Sequence, residues 1–463
     1  MQVKLPVPVA GSHARAVRGE SRIAAAASWS ARTGRSVSRP ERAHPDASPR
    51  MIHNRPLMAG KAAGPLLVYL DSSDFSVLSD SRQRTDKHDE IERRLFEWQS
   101  TGEIQLRFSF AHVIEAAPVE SSDLEAAKNR LLHIQQLCGS ASFADPASVF
   151  ESEIRGAGLS ADRWGCQSIY RDDGYWMPPL DGLEIGIPSL LSSVQDELSS
   201  KPLNRAERRM AKKALFDGKG RLRNASRKPL SGISDPNLRR ELDQFPLTPE
   251  GLDQVGRFVC GLGSKEQALQ AIANSMIDLG CFADWYARKW DQASPLSQSL
   301  RQSGEALRAA LHHSSSAVRK ACETLQSVGE SQKAKSAIKE ALNSVLENLP
   351  KALMCDLAES FGIRLGESAQ CSWERTPSLA TVARIVCHVG RLSALMANGG
   401  RKPRASDLGD TLHAIYLPHV DIFRADGFMA NAISDARLPW NTTVVSKLID
   451  LPAAIERRLE AKM

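Results

Sequence analysis

The stretch SDLGDTLHAIYLPHVDIFRAD, residues 406–426, decides the fold. Ser406-Asp407 suits a helix start, and Asp407 and Asp410 sit in a first turn, where capping and the helix dipole favour acids whatever the function. An apolar turn through Tyr416 and Pro418 follows. Val420-Asp421-Ile422-Phe423 then reads as a strand that runs into Asp426, just before Gly427 and Phe428. Helix, turn, strand and terminal acid in so short a span are marks of an α/β sheet.

The same grammar extends to both sides. Upstream, Leu379–Met396 places Val382, Ile385, Val386, Val389 and Leu392 on one helical face, and Gly399-Gly400 ends it. Downstream, Thr442–Val445 reads as a strand and Leu451–Leu459 as a last helix. Far earlier, Pro65-Leu66-Leu67-Val68-Tyr69-Leu70 is apolar on both faces and stops at Asp71, as a buried parallel strand does. Asp86–Gln99 is an amphipathic helix through Ile91, Leu95 and Trp98, and Ile104–Phe108 is a second strand. Ser109 caps a helix carrying Val113, Ile114 and Glu115. Ser122-Asp123-Leu124-Glu125 is a capping box before Ala127, Leu131, Ile134 and Cys138. The order strand, helix, strand, helix predicts a parallel sheet of four or five strands flanked by helices.

Between these halves the alternation stops. Residues 151–375 read as a mostly helical insert, with long apolar periodicity over 255–290 and 306–349. The expected organisation is therefore 61–150 and 376–463 as two parts of one sheet domain, 151–375 as the insert, and 1–60 as an Arg-, Ser- and Ala-rich tail. Poor in acids and aromatics, that tail cannot bury enough apolar surface to offset its ordering entropy. An organelle transit peptide, or a start at Met51 or Met58, are its other readings. The insert carries a basic block at 201–228, with Arg208, Arg209, Lys212 and Lys213 at its centre and Phe216 its one aromatic. Such a block is either a solvated face or a set of backbone phosphate contacts that read no base sequence.

The chain has 463 residues, a net charge of +6 and a pI of about 8.9, a mild bias toward polyanions. No apolar run is long enough to span a bilayer. The eight cysteines form no CxxC pair and no zinc spacing, so reduced thiols in a cytoplasmic protein are expected.

LLVYLDSSDFSVL, FSFAHVIE and SDLGDTLHAIYLPHVDIFRAD resemble the three signature segments of PIN-domain nucleases. The resemblance covers roughly residues 65–140 and 376–450. It implies an α/β PIN-like fold and a metal site made by Asp71, Glu115, Asp410 and Asp426, with Asp407 as a further ligand or only a cap. It also implies hydrolysis of phosphodiester bonds, in RNA before DNA, with Mg²⁺ or Mn²⁺. The residues point the same way. Ligands bind outside the carboxyl ends of parallel strands, where Asp71, Asp426 and the segment of Glu115 fall. Clustered carboxylates stay ionised only beside a cation, and all-oxygen ligands suit Mg²⁺ or Mn²⁺. Asp74, Ser72, Ser73 and His413 are secondary candidates, and Asp421 a remote one. The alternatives are a structure-specific DNA nuclease with the same acids, or a catalytically silent scaffold that binds nucleic acid or protein.

Overall fold

The computed structural model describes residues 64–118, 120–157, 169–178, 204–215 and, with gaps, 242–462. The tail expected over 1–60 lies outside the described residues, as do 201–203 and 216–228 of the basic block.

Within the described residues the chain is mixed α/β and mostly helical, built on one small parallel sheet. Strands β1 (Leu66–Tyr69), β2 (Ile104–Leu106), β5 (Ile422–Arg424) and β6 (Thr443–Val445) lie in the order β2-β1-β5-β6. In register, Val68 faces Leu106 on one side and Ile422 on the other, and Tyr69 faces Phe423. A two-stranded antiparallel pair, β3 (Ser142–Phe143) and β4 (Tyr170–Arg171), adjoins it through a parallel bridge from Phe108 to Ser142.

The apolar run of β1 is buried on both faces, as its composition requires. Leu66, Val68 and Leu70 enter one core with Leu106, Ile422 and Val445. That core is closed by α1 (Ser72–Ser79), α2 (Asp86–Ser100), α3 (Phe110–Ala116), α4 (Leu124–Cys138) and α14 (Leu451–Glu460). Leu67 and Tyr69 enter the opposite core with Phe423. There they meet α5 (Pro146–Ala157), α11 (Pro377–Leu395), α12 (Asp407–Ala414) and α13 (Gly427–Ala436). Tyr69 stacks on Phe423 at 5.2 Å and on Tyr416 at 5.7 Å.

The insert supplies α6 (Arg205–Leu215), α7 (Pro249–Val259), α8 (Lys265–Ile277), α9 (Leu279–Arg288) and α10 (Ser331–Ser360). The expected boundary at 150 falls inside α5. From α9, Leu279, Phe282, Trp285 and Tyr286 join the core of β1 and α4. From α10, Met354 and Ala358 pack on Ile154 and Leu379. Among the described residues, no helix is long and apolar enough to cross a membrane.

Candidate functional site

The strand order fixes where a site can form. The chain leaves β1 for β2 on one side and returns to β5 on the other side of β1. The gap between β1 and β5 is thus the topological switch point, where parallel sheets bind ligands beyond the strands' carboxyl ends. Asp71 follows β1 and Asp426 follows β5. Each also starts a helix: Asp71 precedes α1, and the Asp426 carboxylate accepts from the Met429 N–H at 2.6 Å.

The other two acids arrive on helices. Glu115 is on α3 and Asp410 is in the first turn of α12. These helices approach so closely that a Cβ on Gly409 would lie 1.8 Å from Glu115 Oε1. The four acids share one electrostatic environment. Burial, then the charges of Asp426, Asp71 and Glu115, push the Asp410 carboxyl up to about 7, against the pull of His413. Segments separated by hundreds of residues are thus brought together at one edge of the sheet.

Asp71, Glu115 and Asp426 each have a partner within the protein. His413 donates from Nε2 to Glu115 Oε2 at 3.0 Å, and the Ser72 hydroxyl supports the same carboxylate. Burial alone would raise Glu115, but His413 and Ser72 outweigh it and hold the carboxyl below its ordinary range. Burial alone would lower His413, but Glu115, Asp71 and Asp410 outweigh it and raise the imidazole. Nδ1 of His413 lies 2.6 Å from the Tyr69 hydroxyl, which lies 2.7 Å from Ser109 Oγ. A buried hydrogen-bonded chain thus runs under the site. His112, with its rings 4.6 Å from those of His413, accepts from the Ser109 N–H at Nδ1 and donates from Nε2 to the Leu70 carbonyl. Burial first, and then His413, hold it well below the ordinary histidine range. It is therefore a neutral prop under the end of β1.

On the other side stands Arg424, near the end of β5. Nη2 lies 2.7 Å from Asp74 Oδ1 and Nη1 3.6 Å from Asp71 Oδ2. Asp74 also accepts from the Asp71 N–H at 3.0 Å, and Asp71 accepts from the Ser73 hydroxyl. Burial pushes the Asp74 carboxyl up to about 7, against the pull of Arg424. Arg424 and His112 were not picked out from the sequence, and His413 only as a secondary candidate. The two histidines sit where helical residues face the sheet, at position N3 of α3 and one turn past Asp410, and that spacing was the available signal.

The remaining candidates are elsewhere. Asp407 is the first residue of α12, and its carboxylate accepts from the Arg404 N–H at 2.9 Å, a turn-closing contact. Asp421 lies at the opposite end of β5, where it accepts from the Leu67 N–H at 2.8 Å. In the basic block, Arg209 and Lys213 are exposed on α6, while the side chains of Arg208 and Lys212 lie outside the described residues.

For a divalent ion the donor chemistry fits, since carboxylate oxygens suit hard cations. The placement is less complete. Among the described residues, no three His, Cys, Asp or Glu side chains are arranged to hold one ion. Compared with family models, curated proteins and solved structures, the chain matches none.

Proposed function

We propose that the chain is a metal-dependent phosphodiester hydrolase of the PIN-like kind, acting on RNA. One observation carries the reading: at the β1/β5 switch point Asp410 lies close enough to Asp426, Asp71 and Glu115 for their charges to add to its burial, and the two together push its carboxyl up to about 7. Asp71, Asp410 and Asp426 are the residues to hold Mg²⁺ or Mn²⁺, with Glu115 beside them. When bound, such an ion lowers the pKa of water and stabilises charge on phosphate oxygens. The chain's own contribution is placement. The strand ends and helix caps fix Asp71 and Asp426, His413 and Ser72 hold Glu115, and Gly409 lets α12 approach it. Exposed Arg209 and Lys213 on α6 supply backbone phosphate contacts, which read no base sequence. A cytoplasmic location goes with this reading.

A second reading has its own observation. Glu115 and Asp71 already have cationic neighbours in His413 and Arg424, as in a site that has become a scaffold. Cleavage decides between them. Purified protein is expected to cut single-stranded RNA with Mn²⁺, to stop with a chelator, and to lose activity in Asp71→Asn. A parent that neither cuts RNA or DNA nor gains thermal stability with Mn²⁺ leaves the scaffold reading standing.

A further inference from the structure

Arg424 is unusual among the charged groups at the site. Its side chain is only 10% exposed, yet Nε and Nη1 are buried with no hydrogen-bond partner. Buried donors left unpaired are costly, so the hydrogen bonds it makes do not explain why the guanidinium stays there. Charge does. It sits between the carboxylates of Asp71 and Asp74, which are linked to each other through the Asp71 N–H, and so it joins the end of β5 to the start of α1. A guanidinium cannot lose its charge at any working pH. The oxygen it approaches at 3.6 Å, Asp71 Oδ2, belongs to the acid best placed to receive a cation at the end of β1.

We propose that Arg424 is the resident cation of this site: it neutralises Asp71 and Asp74, and it competes with a divalent ion for the Asp71 carboxylate. The inference rests on the metal-site reading above and deepens it. Two cations cannot both use one carboxylate oxygen at close range without strong repulsion. An ion therefore enters only as Arg424 gives up Asp71 and keeps Asp74. Asp71 accordingly faces its internal cation at 3.6 Å. Affinity for the free ion is then weak by construction, and the site is poised to load at high metal concentration or together with an anion that draws the guanidinium aside.

The test is calorimetric titration of Mn²⁺ into the metal-free full chain and three variants. Arg424→Gln removes the competitor. Arg424→Gln with Asp74→Asn removes both halves of the 2.7 Å pair, so neither an orphaned Asp74 carboxylate nor a change in net charge confuses the result. Lys447→Gln, at an exposed position, controls for loss of one positive charge at a distance. Both Arg424 variants are expected to half-saturate at about tenfold lower Mn²⁺, with Lys447→Gln unchanged. If Arg424→Gln fails to give the parent's circular dichroism, the double variant decides. Parent-like affinity in the Arg424 variants, or an equal gain in Lys447→Gln, overturns the competition while leaving the metal site standing. No Mn²⁺ binding in any of the four proteins ends the metal-site reading, and this inference with it.

Discussion

At the residue scale, Gly409 separates function from stability. Its backbone adopts no positive φ, so alanine there is strained only by space. Ordinarily, glycine to alanine within a helix stabilises, by roughly 0.4–1 kcal/mol. Here the new methyl takes the place of Glu115 Oε1, and the carboxylate must swing away from His413. We expect Gly409→Ala to melt within a few degrees of the parent but to lose RNA cleavage; retained cleavage would show that Glu115 is not needed where it stands. Asp410 offers a pH test. Its folded value of about 7 lies above the ordinary carboxylate value near 3.9, so the folded state holds the proton more tightly. Its contribution to metal-free stability is therefore greatest below about pH 4, declines as pH climbs toward about 7, and is flat beyond. Asp74 and Glu153, also pushed up to about 7, shape the parent's curve in the same way, so the difference between variant and parent is the informative quantity. Asp410→Asn should match the parent near pH 4 and exceed it at pH 8, by about 2–4 °C for each kcal/mol recovered. A difference that does not change with pH would mean that burial and the neighbouring carboxylates do not raise this group.

At the element scale, the same aspartate can be cap and ligand, and substitution can tell the two apart. Asparagine at 426 still offers an oxygen to the Met429 N–H, whereas alanine does not. Asp426→Asn should fold as well as the parent, and Asp426→Ala should lose about 1 kcal/mol in denaturant unfolding. Both should lose Mn²⁺-dependent cleavage; if Asn retains it, Asp426 is only a cap. Elements with strong local signals were legible. The two-faced apolar run of β1, the Ile91-Leu95-Trp98 stripe of α2 and the Ser109 start of α3 all appear where the pattern puts them. Others were hidden for physical reasons. The α1 segment is serine- and aspartate-rich and buries only Phe75 and Leu78 of its apolar residues, too few for a periodicity to register. β3 and β4 have two residues each and exist by virtue of their partners. β2, expected to reach Phe108, stops at Leu106 because Phe108 turns to pair with Ser142. The box expected at Ser122 is replaced by a 3₁₀ turn, Ser121–Asp123, which leads into α4. The acids at the strand ends could be read in advance. Their counter-charges could not, because Arg424 looks like any polar residue leaving a strand until its fold neighbours are known.

At the scale of the whole molecule, the question is whether residues 151–375 are a passenger or part of the core. An apolar helical stripe reports that a helix packs, not on what, so the sequence could show α9 without showing its partner. The structure shows Phe282 only 2% exposed, with its ring 5.4 Å from Trp176, 5.9 Å from Trp285 and 5.9 Å from Tyr286, in the same cluster as Val68, Leu106 and Leu131. If that cluster is one cooperative core, damage at Phe282 must reach the sheet. Phe282→Ala removes a buried aromatic and leaves a cavity, which costs about 3–5 kcal/mol. Calorimetric melting of the full chain should then show the transition that Mn²⁺ raises, the one containing the carboxylate site, move down by about 2–4 °C per kcal/mol. An independent insert would behave differently, with its own transition falling while the metal-sensitive one stayed put. Phe282 touches no proposed ligand, so a shared fall could come only through packing, from α9 across α4 to β1, and would make the insert a structural part of the domain that presents Asp71.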